Sequence, residues 1–270
     1  MYIIDQAFRG RSPWHPDAGK YVTFSAEMVE TNWTRPATSD PPLWTSAGLH
    51  TQWSGPGTRG DPVFDGTFAS MAPNLDDFAL QEGTTQKACA ALIDRIGKPV
   101  VLVAHSLGCL VAWLVADVRP AQTRGIVAVE PSGPPFSGLG VAGPRAKATE
   151  FGVTYAPITY DPPVDDPQKD LTRATLRSAG LQDVFVQADE PSPRRLVNLA
   201  EIPIAVVTAE ASKHALYDWG TVAFLRQAGV SQTEHIVLGD RGIHGNGHML
   251  LVEENSDIVA EEIARWVEKL

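Results

Sequence analysis

The run Val100-Val101-Leu102-Val103-Ala104-His105-Ser106-Leu107-Gly108-Cys109-Leu110 constrains this chain more than any other segment. Its first five residues are apolar and mostly β-branched, the pattern of a buried parallel strand. From Leu107 the pattern becomes an apolar helix that runs to Val118 and meets Pro120, which cannot continue it. Ser106 stands at the junction, with small residues, Ala104 and Gly108, two positions to either side. A strand that turns sharply into a helix forces the residue at the turn into a strained backbone, and only small neighbours let the turn close. The serine oxygen then projects above the sheet edge. The amide of Leu107, first in the helix, faces any oxyanion that forms there. The pattern is Gly-x-Ser-x-Gly with Ala104 in place of the first glycine.

The rest of the chain repeats the alternation of strand and helix. Apolar, β-branched runs occur at Tyr2 to Ile4, Ile126 to Val129, Ile204 to Ala209 and His235 to Leu238. Helical patterns are expected at Thr84 to Ile96, stopped by Gly97, at Gly220 to Ala228, stopped by Gly229, and at Asp257 to Leu270. In the last, Val259, Ile263, Trp266 and Leu270 share one face. Such alternation predicts an α/β fold, a mostly parallel doubly wound sheet covered on both faces. Two stretches rich in Pro and Gly break it, at about 13–81 and 132–201. Loops that long are usually lids or binding segments. They are expected as an insertion and a cap on one domain spanning 1–270.

A nucleophilic serine needs a base, and the base needs an acid that fixes its tautomer. Gly242-Ile243-His244-Gly245-Asn246-Gly247-His248 follows the last predicted strand, and its glycines permit a tight approach. His248, beside the last helix, is the expected base, with His244 as the alternative. The two are spaced i, i+4, like a metal pair, but Gly245 and Gly247 oppose the helix that such a pair needs. No metal or cofactor is therefore expected. Two carboxylates end apolar strands, Glu130 and Glu210, and each needs a partner if buried. Asp218 is a weaker candidate. Asp5 with Arg9 or Arg11 reads as a structural ion pair. The segment Leu49 to Gly57, with Trp44, offers aromatic lining for a pocket or simple packing.

The formal net charge of -10 disfavours nucleic acid and anionic membranes as partners. No apolar run is long enough to span a membrane. Cys89 and Cys109, the two cysteines, fall in helical patterns and are expected as buried thiols. No secretory signal is visible, and the sequon at Asn32 is weak evidence for export. The sequence as written is expected to be cytoplasmic, and secreted if a segment precedes it.

Together, Asp5-Gln6 with Arg9-Gly10-Arg11-Ser12, Leu49-His50-Thr51-Gln52-Trp53, Ala104-His105-Ser106-Leu107-Gly108, Glu130-Pro131, Glu210-Ala211-Ser212 and Gly245-Asn246-Gly247-His248 form a pattern. On these pieces the chain resembles the α/β-hydrolase family over its whole length. More narrowly, it resembles a bacterial and fungal esterase group within it. In that group the triad acid is a glutamate after the sixth strand, so the resemblance assigns that role to Glu130 and makes Glu210 the runner-up. It also implies the sheet order 1-2-4-3-5-6-7-8, in which Tyr2 to Ile4 would be the fourth strand. The earlier strands, and the loop supplying a second oxyanion donor, have no counterpart. Either the chain is a shortened form, or residues 13–81 fill the gap.

The expected activity is hydrolysis of carboxylic esters through an acyl-enzyme on Ser106, with His248, Glu130 and the Leu107 amide as its machinery. The expected partner is a small-molecule ester with apolar groups, with a homodimer left open. Two alternatives stand beside this: cleavage of a lactone or thioester by the same residues, and a non-catalytic binding module on the same fold.

Overall fold

A computed structural model describes residues 1–38, 40–138 and 148–270. Residues 139–147, part of the cap expected at 132–201, lie outside the described residues. In chain order, the strands are β1 (Tyr21–Val22), β2 (Asn74–Leu75), β3 (Val100–His105), β4 (Thr123–Val129), β5 (Arg173–Leu176), β6 (Val184–Gln187), β7 (Ile204–Thr208) and β8 (Thr233–Val237). The α-helices are α1 (Ala26–Val29), α2 (Pro62–Ser70), α3 (Phe78–Ile96), α4 (Leu107–Val118), α5 (Pro167–Asp170), α6 (Asp218–Gln227) and α7 (Ser256–Val267).

The chain divides into two compact units. One comprises 77–206 and 217–235, with Leu270. It holds β3, β4 and the opening residues of β7 and β8, in the sheet order β3-β4-β7-β8. β3 and β4 run parallel, in register from Val101 opposite Gly125 to His105 opposite Val129. Ile126, Val127, Ala128 and Val129 are all buried, so β4 is covered on both faces, as its unbroken apolar run requires. Cys89 and Ile93 of α3 meet Val111 and Val115 of α4 over Val100 and Leu102. The opposite side of α4, with Trp113 and Leu114, packs into a larger core with Ile126, Ile204, Phe224 and Leu225. Full burial of Leu110 and Leu114 contributes roughly 1.5–3 kcal/mol each. Both cysteines are free and buried.

The expected elements at 100–104, 107–118, 126–129, 204–209, 220–228, 235–238 and 257–270 all form, with ends moved by a few residues. α3 begins six residues before Thr84, because Asp77 caps it by accepting from the Leu80 N–H. The cap region is not structureless: β5 and β6 form an antiparallel hairpin.

Tyr2 to Ile4 do not form a strand. All three are exposed and pair with no strand. Three apolar residues supply the composition of a strand but no partner for its hydrogen-bonding groups. The segment is tied down instead by Asp5, which accepts from Arg11 Nε at 2.7 Å and from the Arg11 backbone N–H at 3.0 Å. The expected Asp5–Arg11 pair is therefore present. β3 lies at the edge of the four-stranded sheet, and Val103 is 59% exposed there, although its run reads as fully buried.

The other unit comprises 1–76, 207–216 and 236–269. Its irregular first part has a small core of its own: Ala26, Val29 and Phe64, flanked by Phe24, Trp33, Phe68 and Met71. β1 and β2 pair antiparallel. No helix among the described residues is long and apolar enough to cross a membrane.

One buried acid in the first unit gives a stability prediction. Glu82 on α3 accepts the N–H groups of Tyr155 and Ala156 at 3.0 and 2.8 Å through one oxygen, while its other oxygen has no hydrogen-bond partner. Burial outweighs those two bonds and raises its pKa from 4.5 to about 8. The folded chain then holds a proton that the unfolded chain loses above pH 4.5, so stability falls as pH rises from 4.5 to 8. Glu82→Gln retains an acceptor for both N–H groups and removes the charge. It is expected to be more stable than the parent at pH 9, by as much as about 5 kcal/mol, and nearly equal at pH 4.5. Denaturant titration at the two pH values measures the difference.

Candidate active site

Ser106 joins β3 to α4 with φ 54° and ψ -123°. A non-glycine residue held there carries roughly 1–3 kcal/mol of strain and persists only where its surroundings fix it. They do. Its N–H donates to Val129 O at 3.0 Å, and its carbonyl accepts from the N–H of Cys109 at 3.1 Å and of Ser132 at 3.3 Å. The end of the neighbouring strand and the first turn of α4 thus grip both polar groups of its backbone. The Ser106 side chain does not cap α4, and Ser106 and Leu107 are half-buried. The strand-to-helix elbow expected from the sequence is present.

Glu130 follows β4 directly, with φ 50° and no exposed surface. It belongs to the same unit as Ser106, at the end of the strand paired with β3. Asp218, at the start of α6, is also fully buried. Burial, with Asp218 and Glu130 nearby, pushes the Cys109 thiol and the Tyr217 phenol well above their usual pKa values, so both stay neutral.

His248 belongs to the other unit and is buried. Its ring stacks on His214, with centroids 4.6 Å apart and planes 6° from parallel, and lies 5.8 Å from Trp33. Burial, and then the charge of His214, hold its pKa well below the ordinary histidine value. A neutral imidazole is the form that accepts a proton.

The loop before His248 is held through its backbone and side chains. Gly245 O accepts from the N–H groups of Thr51 and Gln52 at 3.0 and 3.2 Å, and Asn246 O accepts from Ala211 N at 2.9 Å. Gly245 sits at φ 82°, where a Cβ would fall 2.1 Å from Thr51 Oγ1, so glycine is needed on both counts. Glu210 accepts from Gly245 N through Oε2 at 3.1 Å, and its Oε1 lies 3.1 Å from His244 Nδ1. His244, the alternative base, is exposed and is engaged by Glu210. Trp44 is buried and donates to Ala211 O at 2.9 Å, which gives this aromatic residue a packing and anchoring role.

A family model described as the alpha/beta hydrolase family matches residues 46–262, most of the chain. The chain belongs to the alpha/beta hydrolase family. This alpha/beta hydrolase is 39% identical over 269 residues to the probable secreted lipase phiG of a fungal species (strain ATCC 74256), covering 100% of this chain and 72% of that protein. Among solved structures it is similar to a bacterial esterase, at 18% identity and TM-score 0.47, over 77% of this chain and 50% of that one. It is also similar to the monoacylglycerol lipase of Paleococcus ferrophilus, at 13% identity and TM-score 0.40, over 72% and 77%.

Sequence reasoning missed three residues of this alpha/beta hydrolase: His214, His50 and Glu253. His214 carries no pattern, since it lies in a short helical turn after Ser212. His50 belongs to a segment expected either to line a pocket or simply to pack, and Glu253 to a loop with no periodicity. All three are recognisable only by what they touch.

Proposed function

We propose that this chain is a carboxylic ester hydrolase that works through an acyl-enzyme on Ser106. The observation that carries the reading is the backbone of Ser106, a non-glycine residue gripped at positive φ between a strand and the N-terminus of an apolar helix. Family membership and the likeness to a probable secreted lipase support ester substrates. That relative's name also supports a secreted protein over a cytoplasmic one.

In this reading Ser106 Oγ adds to the ester carbonyl carbon while His248 takes the serine proton. Charge gathers on the carbonyl oxygen, and the Leu107 N–H at the start of α4 stabilises it. The tetrahedral adduct collapses, His248 gives the proton to the leaving alkoxide, and the acyl group stays on Ser106. Water, deprotonated by His248, then adds to the acyl carbon, and the second adduct collapses with His248 returning the proton to Ser106 Oγ as the acid leaves. Glu130 holds the tautomer of His248 and stabilises its cationic form. Every step moves a proton or an acyl group, so no cofactor is required.

Turnover of p-nitrophenyl butyrate tests the reading, together with its pH profile. A base whose pKa is lowered stays neutral as pH falls through the ordinary histidine value of 6.5. The expected kcat/KM at pH 6 is therefore within about twofold of that at pH 7.5. No turnover, or an activity already halved near pH 6.5, would contradict it.

A further inference from the structure

Within the unit that carries His248, a buried carboxylate is engaged by donors from the loop just before it and by His50. Glu253 Oε1 lies 2.8 Å from His50 Nε2 and accepts from Gly247 N at 3.0 Å. Its Oε2 accepts from Asn246 Nδ2 at 2.9 Å and from Gly247 N at 3.1 Å. The Asn246 side chain also exchanges bonds with Asn255, at 2.5 and 3.0 Å. The side chains of His50 and Glu253 are 3% and 0% exposed. A Cβ on Gly247 would lie 2.9 Å from His50 Nε2 and 3.2 Å from Glu253 Oε1, so the backbone rests directly on the pair. Glu253 Oε1 already accepts from Gly247 N, and with the same oxygen accepting from His50 the donor of that contact is His50 Nε2.

We infer that His50 and Glu253 form a positioning pair for the proposed base: Glu253 fixes the height and tilt of residues 246–247 and so aims His248, while His50 holds the Glu253 carboxylate. This rests on reading His248 as the base. The chemical logic is that of a buried, fully satisfied anchor. Three donors, His50 Nε2, Asn246 Nδ2 and the Gly247 N–H shared by both oxygens, converge on one buried carboxylate adjacent in sequence to the loop it holds, and a fully satisfied buried network of this kind is rigid. Misplacing a base by about 1 Å lowers turnover by about 100-fold, whereas substrate binding does not depend on its aim. The effect therefore falls on kcat and not on KM.

Glu253→Gln puts an amide N–H₂ where only donors converge. In the full chain it is expected to lower kcat for p-nitrophenyl butyrate about 10- to 100-fold, with KM changed less than about threefold. His50→Phe, which removes the ring N–H, is expected to act in the same direction, and His50→Gln, which keeps a donor at similar reach, to stay within about threefold of the parent. A second readout needs no turnover. In a Ser106→Ala background, the imidazole NMR resonances of His248 are expected to shift on Glu253→Gln, while those of exposed His15 stay in place. If Glu253→Gln does not fold, His50→Phe is read in the same two ways. Variants that lower only the melting temperature, with kcat and the His248 resonances unchanged, overturn the inference. If the parent chain hydrolyses no ester, the esterase reading fails by itself, and the His248 resonances alone decide the positioning role.

Discussion

Ser106→Ala is expected to lower kcat for ester hydrolysis by roughly 10⁴- to 10⁶-fold, to the level left by binding and oxyanion stabilisation alone. The change removes one oxygen and leaves the elbow standing, because its backbone is fixed by Val129, Cys109 and Ser132. Stability separates this role from a structural one. Alanine keeps the Cβ that makes φ 54° unfavourable, so Ser106→Ala is expected to melt close to the parent. Ser106→Gly relieves that strain and is expected to be the more stable of the two, by about 1 kcal/mol. Such a residue, whose replacement abolishes activity and raises stability, is strained for its chemistry. A loss of activity that tracked a loss of stability would point to folding instead.

Glu130→Gln is expected to lower kcat by about 10³- to 10⁴-fold, because a neutral amide neither fixes the tautomer of the base nor stabilises its cation. Glu210→Gln is expected to cost no more than a few-fold. Both Glu210 oxygens are engaged by His244 Nδ1 and Gly245 N, so its work is to hold the loop. Glu130, fully buried at the end of a central strand, sits where an unpaired carboxylate would be most unfavourable. Steady-state kinetics of the two variants side by side decide the assignment. The reverse ranking would move the acid to Glu210, and equal, small effects would direct attention to Asp218.

The parts of the fold that were legible in the sequence are those where local pattern and tertiary environment agree. Val100 to Val118 announces both its strand and its helix, because an apolar run, small neighbours and Pro120 all point the same way. Tyr2 to Ile4 has the same composition and fails, because a strand is made by its partner and no sequence window shows one. Val103 errs for a related reason: an edge position is a property of the sheet, not of the run. Of the residues proposed for the site, Ser106 and Glu130 stand out because each ends an apolar strand, and His248 because it closes a glycine-rich loop after the last one. His50 and Glu253 do not, since their contact joins residues 203 apart in the chain. Glycines 245 and 247 were legible as a tight approach, but what they approach, Thr51 and the His50–Glu253 pair, was not.

In the proposed mechanism Ser106 is a nucleophile activated within this chain. Reaction of the native protein with a fluorophosphonate, followed by digestion and mass spectrometry, tests it most directly. The expected result is a single phosphonyl adduct on Ser106, absent from the heat-denatured protein and strongly reduced in His248→Ala. A native protein that takes up no adduct, or takes it up on a residue other than Ser106, would contradict the claim.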